Sequence, residues 1–350
     1  MKKRLIIPFC LILAMALSAC SSTTNNSQDS DQSTSQEQVT EASDESTPQE
    51  QEPDASSQSL DTITVEDMKG SVEIPASPQR IVDVSGSADE LIILGMPFVA
   101  SANTSMFDGI TVPEYLQDYF SENSIETVGN YSGAVGDLNI EKIAELQPDL
   151  IIMNIRHDKV YEQLKAIAPT VMINDDISYV NWRGRFQQLG EWFGKEDVVD
   201  SWLKDYDAKA AGLAEDIKKV VGDETFAVIE ANSVHFGSYY VYRTGGPGEI
   251  IYDELEVQPS SGVPEDVWGE VVDAEYFSKI DADHIFFFSD DGEVGETQES
   301  PVWQNLKAVQ SGNVYLGENN LQYDMAYTAN GKLLYMEKLA NAIINHTNVE

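Results

Sequence analysis

Cysteine is all but missing from this 350-residue chain: the two present, Cys10 and Cys20, both fall in the first twenty residues. Beyond that point neither a disulfide framework nor a cysteine-rich metal site can be built. Positive charge is scarce as well, with 21 Lys and Arg against 60 Asp and Glu and a formal charge of −39. So acidic a chain is not built to hold nucleic acid. No later segment reaches about eighteen uninterrupted apolar residues, so no transmembrane helix is expected there. The four histidines, His157, His235, His284 and His346, are scattered and show none of the paired spacings that metal sites use, so each reads as a surface or supporting residue. Nucleophile-elbow, P-loop and dinucleotide-binding motifs are missing too, and Gly245-Gly246-Pro247-Gly248 breaks the last of these patterns. An extracellular enzyme would need such a set, so neither catalysis, nor a cofactor, nor a metal held by the protein is expected.

What is there begins with an export signature. Met1-Lys2-Lys3-Arg4 is a positive start, and Leu5 to Leu17 is an apolar run too short to span a bilayer. Leu17-Ser18-Ala19-Cys20 matches a lipobox, in which the thiol is lipidated and becomes the new N-terminus. Residues 1–19 are therefore read as a lipoprotein signal peptide and Cys20 as the lipidation site, which places the mature chain on the extracellular face of the cell membrane. Loss of the +3 carried by the signal leaves −42 on the mature chain (−39 − 3). Residues 21–59 contain no Lys, Arg or aromatic residue, and Val39 is their one large aliphatic. Such a segment cannot bury enough apolar surface to offset its ordering entropy, so residues 20–59 are expected to form a disordered acidic tether.

From Leu60 onward short apolar runs alternate with amphipathic stretches. Arg80 to Ser85, Pro97 to Ser101, Asp149 to Met153 and Thr170 to Ile173 read as strands, with helices over Ala88–Leu94, from Asn139 to Leu146 and over Lys159–Ile167 between them. Strand and helix taking turns imply a parallel sheet covered by helices, with ligand chemistry at the carboxyl ends of the strands. Glu196 to Val221 then carries apolar residues at helical spacing and stops at Gly222. Its 26 residues would extend roughly 39 Å, enough to bridge two lobes. A second alternating unit follows, through Phe226–Glu230, Ile250–Leu255, Ile285–Ser289 and Asn313–Leu316 to a terminal helix near Tyr335–Ile344. The expected fold class is α/β: an N-terminal lobe over 60–195, an interlobe helix over 196–221 and a C-terminal lobe over 222–350. Each lobe would hold a mainly parallel central sheet flanked by helices, with the ligand cleft between them.

Several phrases carry a family likeness. Leu146-Gln-Pro-Asp-Leu-Ile-Ile, Leu164-Lys-Ala-Ile-Ala-Pro-Thr-Val and Gly194-Lys-Glu-Asp lie in the first half, and Gly245-Gly-Pro-Gly-Glu-Ile-Ile-Tyr-Asp-Glu-Leu, Val267-Trp-Gly-Glu-Val and Pro301-Val-Trp-Gln-Asn-Leu in the second. In this order, behind a lipobox, the chain resembles the periplasmic-binding family that delivers iron-siderophores and cobalamin to ABC importers. Within it the chain is most similar to the Gram-positive lipoproteins that bind hydroxamate siderophores of the ferrichrome and ferrioxamine kind. The resemblance covers nearly all of 60–350. It implies a stiff single-helix hinge, a monomer, an ABC permease with its ATPase as partners, and a ferric siderophore as ligand. Iron would be held by the siderophore, since ferric iron is hard and takes six oxygens.

The outside of such a complex asks for cations, hydroxyls and flat apolar faces. Only five arginines follow the signal. Arg156 lies at the carboxyl end of a strand, where a cleft residue belongs. Arg183 and Arg185 open the helix before the interlobe helix, and at most one can face the cleft because positions two apart diverge by roughly 200°. The resemblance points most strongly to Arg243, at the end of Tyr239-Tyr240-Val241-Tyr242, with Tyr240 and Tyr242 offering rings and hydroxyls. It also places Tyr131 in the first-lobe cleft loop. Where hydroxamate-binding relatives often carry tryptophan, this chain has Gln322, with Tyr323 beside it. Ferric citrate and triscatecholate complexes would ask for more positive charge than this chain offers; haem or cobalamin is the alternative cargo. Docking glutamates are carried over as Glu90 and Glu249, both at predicted helix N-termini.

Overall fold

A computed structural model describes residues 61–133, 137–173, 181–232 and 238–349. The expected signal peptide, Cys20 and the expected tether lie outside the described residues. The described residues belong to one compact unit.

A hairpin of β1 (Thr62–Asp67) and β2 (Gly70–Pro75) leads into the first sheet. That sheet is built from β3 (Ile81–Val84), β4 (Phe98–Ser101), β5 (Glu126–Thr127), β6 (Leu150–Met153) and β7 (Thr170–Met172). Their order is β5-β4-β3-β6-β7, and every pairing is parallel. The connecting helices are α1 (Ala88–Leu94), α2 (Glu114–Glu122), α3 (Ile140–Glu145) and α4 (Tyr161–Lys165). Their ends follow local chemistry: Gly95 closes α1 at φ 65°, and the Asn139 side chain accepts from Lys142 N at the start of α3. Buried parallel strands read as continuous apolar runs, as Leu-Ile-Ile-Met does in β6. Alternate residues divide between two faces. Val82, Val84, Ile151 and Met153 pack with Ile143, Leu164 and Tyr131, while Ile81, Leu150 and Ile152 pack against α1 and α5 (Trp182–Phe193).

The long helix α6 spans Glu196–Val221, as its periodicity predicts, and buries Val199, Leu203, Tyr206, Ala210, Ala214 and Ile217 along one stripe. It leads to the second sheet, ordered β11-β9-β8-β12-β13, whose strands are β8 (Thr225–Asn232), β9 (Ser238–Tyr242), β11 (Gly269–Val272), β12 (His284–Ser289) and β13 (Val314–Glu318); a two-residue β10 (Gln258–Pro259) pairs with β8. β8, β12 and β13 run parallel, whereas β9 and β11 are antiparallel additions. Residues 250–255, placed in the second alternating unit, continue the short helix α7 (Pro247–Glu249) as a helical turn over Ile250–Glu254. Short helices α8 (Pro301–Gln304) and α9 (Lys307–Ser311) precede β13, and α10 (Asn319–Met325) and α11 (Ala329–Asn345) follow it. The last helix begins well before the expected Tyr335.

One apolar core runs through both lobes. Leu91 and Phe98 of the first, Trp182, Phe186 and Tyr206 of α5 and α6, and Phe286, Tyr335 and Met336 of the second all belong to it.

Candidate functional site

Buried polar side chains weave together the loops at the carboxyl ends of the first sheet. The Asp83 carboxylate, at the end of β3, accepts from Ser85 N and Oγ, Ser87 N and Ser101 Oγ. Asn154, just past β6, donates to the carbonyls of Ser85 and Tyr131. Asn130 donates to Thr104 and Ser105 and accepts from Ser132, while His157 bonds the Asn130 carbonyl at 3.1 Å. These bonds fix the Tyr131 loop. Its ring lies over Gly86, whose φ is 86° and whose missing Cβ would come within 2.4 Å of the ring, so only glycine fits there. Tyr131 is buried, and burial lifts its phenol well above the ordinary range, with Arg185, Asp324 and Arg156 as charged neighbours.

From the second lobe the turn between α10 and α11 meets this surface. Tyr115 of α2 shares a 2.9 Å hydrogen bond with Thr328, and the Asp89 carboxylate accepts from Gly331 N at 2.8 Å. Gly331 is the third residue of α11, whose own N-cap, Thr328, makes no side-chain capping bond to the helix. Asp89 of the first lobe therefore caps a helix of the second. Next to it, Arg185 donates to Glu90 at 2.6 Å and to the Tyr327 carbonyl at 2.9 Å, with Arg185 and Glu90 both buried. Burial raises the Glu90 carboxyl from 4.5 to about 7, with Arg185 pulling down and Asp89 pushing up. Burial also raises Asp89. It lifts Asp324, on α10, to about 6.

Beyond Tyr327 the second-lobe wall is aromatic. The Trp268 and Tyr327 rings are stacked at 6.5 Å and 7°, and Trp268 lies so close over Gly245 that a Cβ there would sit 2.0 Å from the indole. Tyr240 and Tyr242 meet edge to face at 4.8 Å. Behind them, on β8, lies the fully buried carboxylate of Glu230, which accepts from the Tyr242 hydroxyl, from Tyr323 at 2.8 Å and from Asn232 at 2.7 Å. Burial, and next Glu230, push the phenols of Tyr242 and Tyr323 upward.

The expected site residues scatter into distinct settings. Arg156 is exposed, its guanidinium donating to the Ser132 carbonyl at 3.1 Å, beside the Tyr131 loop. Tyr240 and Tyr323 are half-buried, whereas Tyr242 is buried with its hydroxyl committed to Glu230. Arg183 and Arg185 do diverge: Arg183 turns to Asp207 of α6 and to Glu254, and lies over the Trp182 and Tyr206 rings. Arg185 faces the interlobe contact instead, but is sealed in it. Arg243 is partly exposed, 3.4 Å from Asp253 and above the Tyr252 ring, so both contacts point to the 250–254 turn. Gln322 is fully buried and donates to Asn319 at 3.3 Å, which leaves it no surface for a ligand.

The two expected docking glutamates sit in different settings. Glu90, expected on the outside of a lobe, has no exposed surface because α5 and the α10–α11 turn cover it, and it cannot meet an arginine of another protein while its pair with Arg185 is closed. Glu249 keeps about a quarter of its side-chain surface exposed but is bonded to Lys332, a lysine buried over the Trp182 ring. Sequence reasoning missed Trp268, Tyr327 and Glu230. Trp268 stood inside a family phrase, next to the glycine loop it covers, whereas nothing local marked the other two.

Among the described residues no group of three or more His, Cys, Asp or Glu is placed to hold a metal ion. Nor is any described helix long and apolar enough to cross a membrane.

Residues 88–321 match the family described as periplasmic binding protein. The probable siderophore-binding lipoprotein YfiY of Bacillus subtilis is 30% identical over 334 residues, 90% of each chain. The iron(3+)-hydroxamate-binding protein YxeB of the same organism is 28% identical, over 91% of this chain and 90% of its own. Among solved structures, Staphylococcus aureus SirA complexed with staphyloferrin B is similar with a TM-score of 0.63 at 25% identity, covering 81% of this chain and 99% of that one. A FhuD fold-family periplasmic binding protein of a ferrichrome ABC transporter from Bacillus subtilis gives 0.65, also at 25% identity, over 80% and 99%.

Proposed function

The chain belongs to the periplasmic binding protein family, and from that premise we propose that it is the substrate-binding lipoprotein of an ABC importer, capturing a ferric siderophore outside the cell membrane and handing it to the permease. It is a binding protein, not an enzyme. The anchor would be the lipid on Cys20, the tether residues 20–59, and the partners a permease and its ATPase, met by a single copy of this chain.

The observation that carries the reading is the pairing of a half-buried aromatic second-lobe wall, Tyr240, Trp268 and Tyr323, with an exposed cation on the first lobe, Arg156. A siderophore supplies the six oxygens that ferric iron takes, so the protein meets only the outside of the complex. Flat rings suit its organic frame, and a guanidinium suits its electronegative chelating oxygens. With Arg185 and Arg183 tied into ion pairs, little free cation is left for a strongly anionic citrate or catecholate complex. This supports a neutral or cationic hydroxamate complex. Haem would need an axial His or Tyr. Tyr131 and Tyr242 are buried, and the Tyr242 hydroxyl already serves Glu230, which favours the siderophore over haem.

Tryptophan fluorescence of the purified protein, titrated with a ferric trihydroxamate, a ferric triscatecholate, ferric citrate, haem and cobalamin, tests this, because Trp268 lies on the proposed wall. Saturable quenching, tightest for the trihydroxamate, is expected. Tighter binding of haem or cobalamin would overturn the cargo, and no binding of any of the five would overturn the transport reading.

A further inference from the structure

We propose that Glu230 sets the charge preference of this cleft, favouring a ferric complex that carries a free ammonium group; the proposal rests on the siderophore reading above. Glu230 is fully buried, and its neighbours are neutral: two phenols and one primary amide. Asn232 also donates to the Tyr323 oxygen at 3.3 Å, which directs the Tyr323 proton at the carboxylate. Three donors converge on it, and none brings a charge. Among the described residues no Lys, Arg or His forms an ion pair with it, whereas Arg185 pairs with Glu90 and Lys332 with Glu249; Asp83, equally buried, is likewise held by neutral donors alone. A buried carboxylate without a counter-ion is costly to keep unless something else compensates it.

The position of that charge gives it a use. It accepts from the hydroxyls of Tyr242 and Tyr323, and after burial and Tyr323 its charge helps push the Tyr327 phenol upward. Rings facing the ligand with a carboxylate behind them attract a cation twice over, through the π-face and through the charge. Because the hydroxyl of half-buried Tyr323 donates inward, what it leaves for a ligand is ring face and lone pair, which an ammonium group can use and a bare oxygen anion cannot. At Asn232 the network opens into a groove of about 620 Å³ whose charged lining is acidic throughout: Asp290, Asp291, Glu293 and Glu296. Arg156, exposed on the opposite lobe, suits the chelating oxygens. The cleft is thus bipolar, with the chelate toward the first lobe and the amine toward the second.

A charge about 10 Å from a carboxylate in a wall of effective permittivity about 20 shifts affinity on the order of tenfold. The probe pair is ferrioxamine B, which carries one free amine, and the same complex with that amine acetylated. Titrations of the wild type and of Glu230→Gln by tryptophan quenching, at low and at high salt, decide the matter. The expected result is an amine preference of about tenfold in the wild type, little reduced by salt because the charge is buried, and lost in Glu230→Gln. Equal affinity of the wild type for the two forms would overturn the role of Glu230 and leave the hydroxamate reading standing. So would a preference that salt abolishes, since that belongs to the acidic surface. Failure to bind either form would overturn both. The wild-type comparison needs no mutant, and a variant that merely misfolds would lose both ligands in proportion rather than the ratio between them.

Discussion

Glu90→Gln should flatten the dependence of stability on pH between 5.5 and 8. In the folded chain the Glu90 carboxyl is fully buried and titrates near 7; in the unfolded chain it returns to about 4.5. Between those values the folded state holds a proton that the unfolded state has already lost. Folding stability therefore falls as pH rises through this window and levels off above about 7, the reverse of the usual salt-bridged carboxylate. One extra proton on the folded state costs about 1.4 kcal/mol for each pH unit climbed, so from pH 5.5 to pH 8 the loss attributable to Glu90 is about 2 kcal/mol. Asp89 and Asp324 are raised by burial too, so the wild type should lose more than that in total. The difference between wild type and Glu90→Gln isolates the one group. Urea unfolding of both proteins at four pH values, at constant ionic strength, measures it. Curves that stay parallel to within about 0.5 kcal/mol would refute the claim that Glu90 is buried beside Arg185.

Arg185→Met removes the cation from Glu90 and the donor from the Tyr327 carbonyl, leaving two buried carboxylates without a counter-charge. A loss of about 3–5 kcal/mol is expected, with Tm lower by roughly 10 °C; a calorimetric drop of under about 3 °C would show that the pair does not hold the lobes. Gly86→Ala forces a Cβ into the Tyr131 ring and a side chain onto a positive φ. It should weaken ligand binding by at least about tenfold through displacement of the Tyr131 loop, and unchanged affinity in the quenching titration would remove Tyr131 from the cleft.

What could be read from the sequence was what local pattern controls. The limits of α6 follow from a long amphipathic stripe that ends at Gly222, and those of α1 from the same pattern ending at Gly95. The first sheet was legible because buried parallel strands are plain apolar runs between helices. Residues 250–254 were not, since a short apolar run fits a strand and a helical turn equally well. Glu90 shows the limit most clearly. Acidic residues in the first turn of a helix are ordinarily exposed and offset its dipole, and nothing near Glu90 says otherwise. What buries it comes from residues 95 and more than 230 positions further along, Arg185 and the Tyr327–Gly331 turn. Glu230 is hidden in the same way, because its donors Tyr242 and Tyr323 belong to a neighbouring strand and to a helix 93 residues on.

The same long-range contacts limit how such a protein can report that it is loaded. Wide closure of the lobes would have to shear an apolar core that passes through α5, α6 and α11, uncap α11 from Asp89, and open the Arg185–Glu90 pair away from the Tyr327 carbonyl. Each of those costs on the order of a kcal/mol or more, and the buried pair several. A ligand has only its differential affinity for two states to spend on moving them apart. The motion cheap enough to be driven lies in side chains and loops, and those with solvent-accessible surface here are the exposed Arg156 and the half-buried Tyr240, Trp268 and Tyr323. Those are also the groups the ligand would touch. Loading would therefore change the texture of the cleft mouth far more than the angle between the lobes, and a permease that distinguishes loaded from empty protein must read that surface.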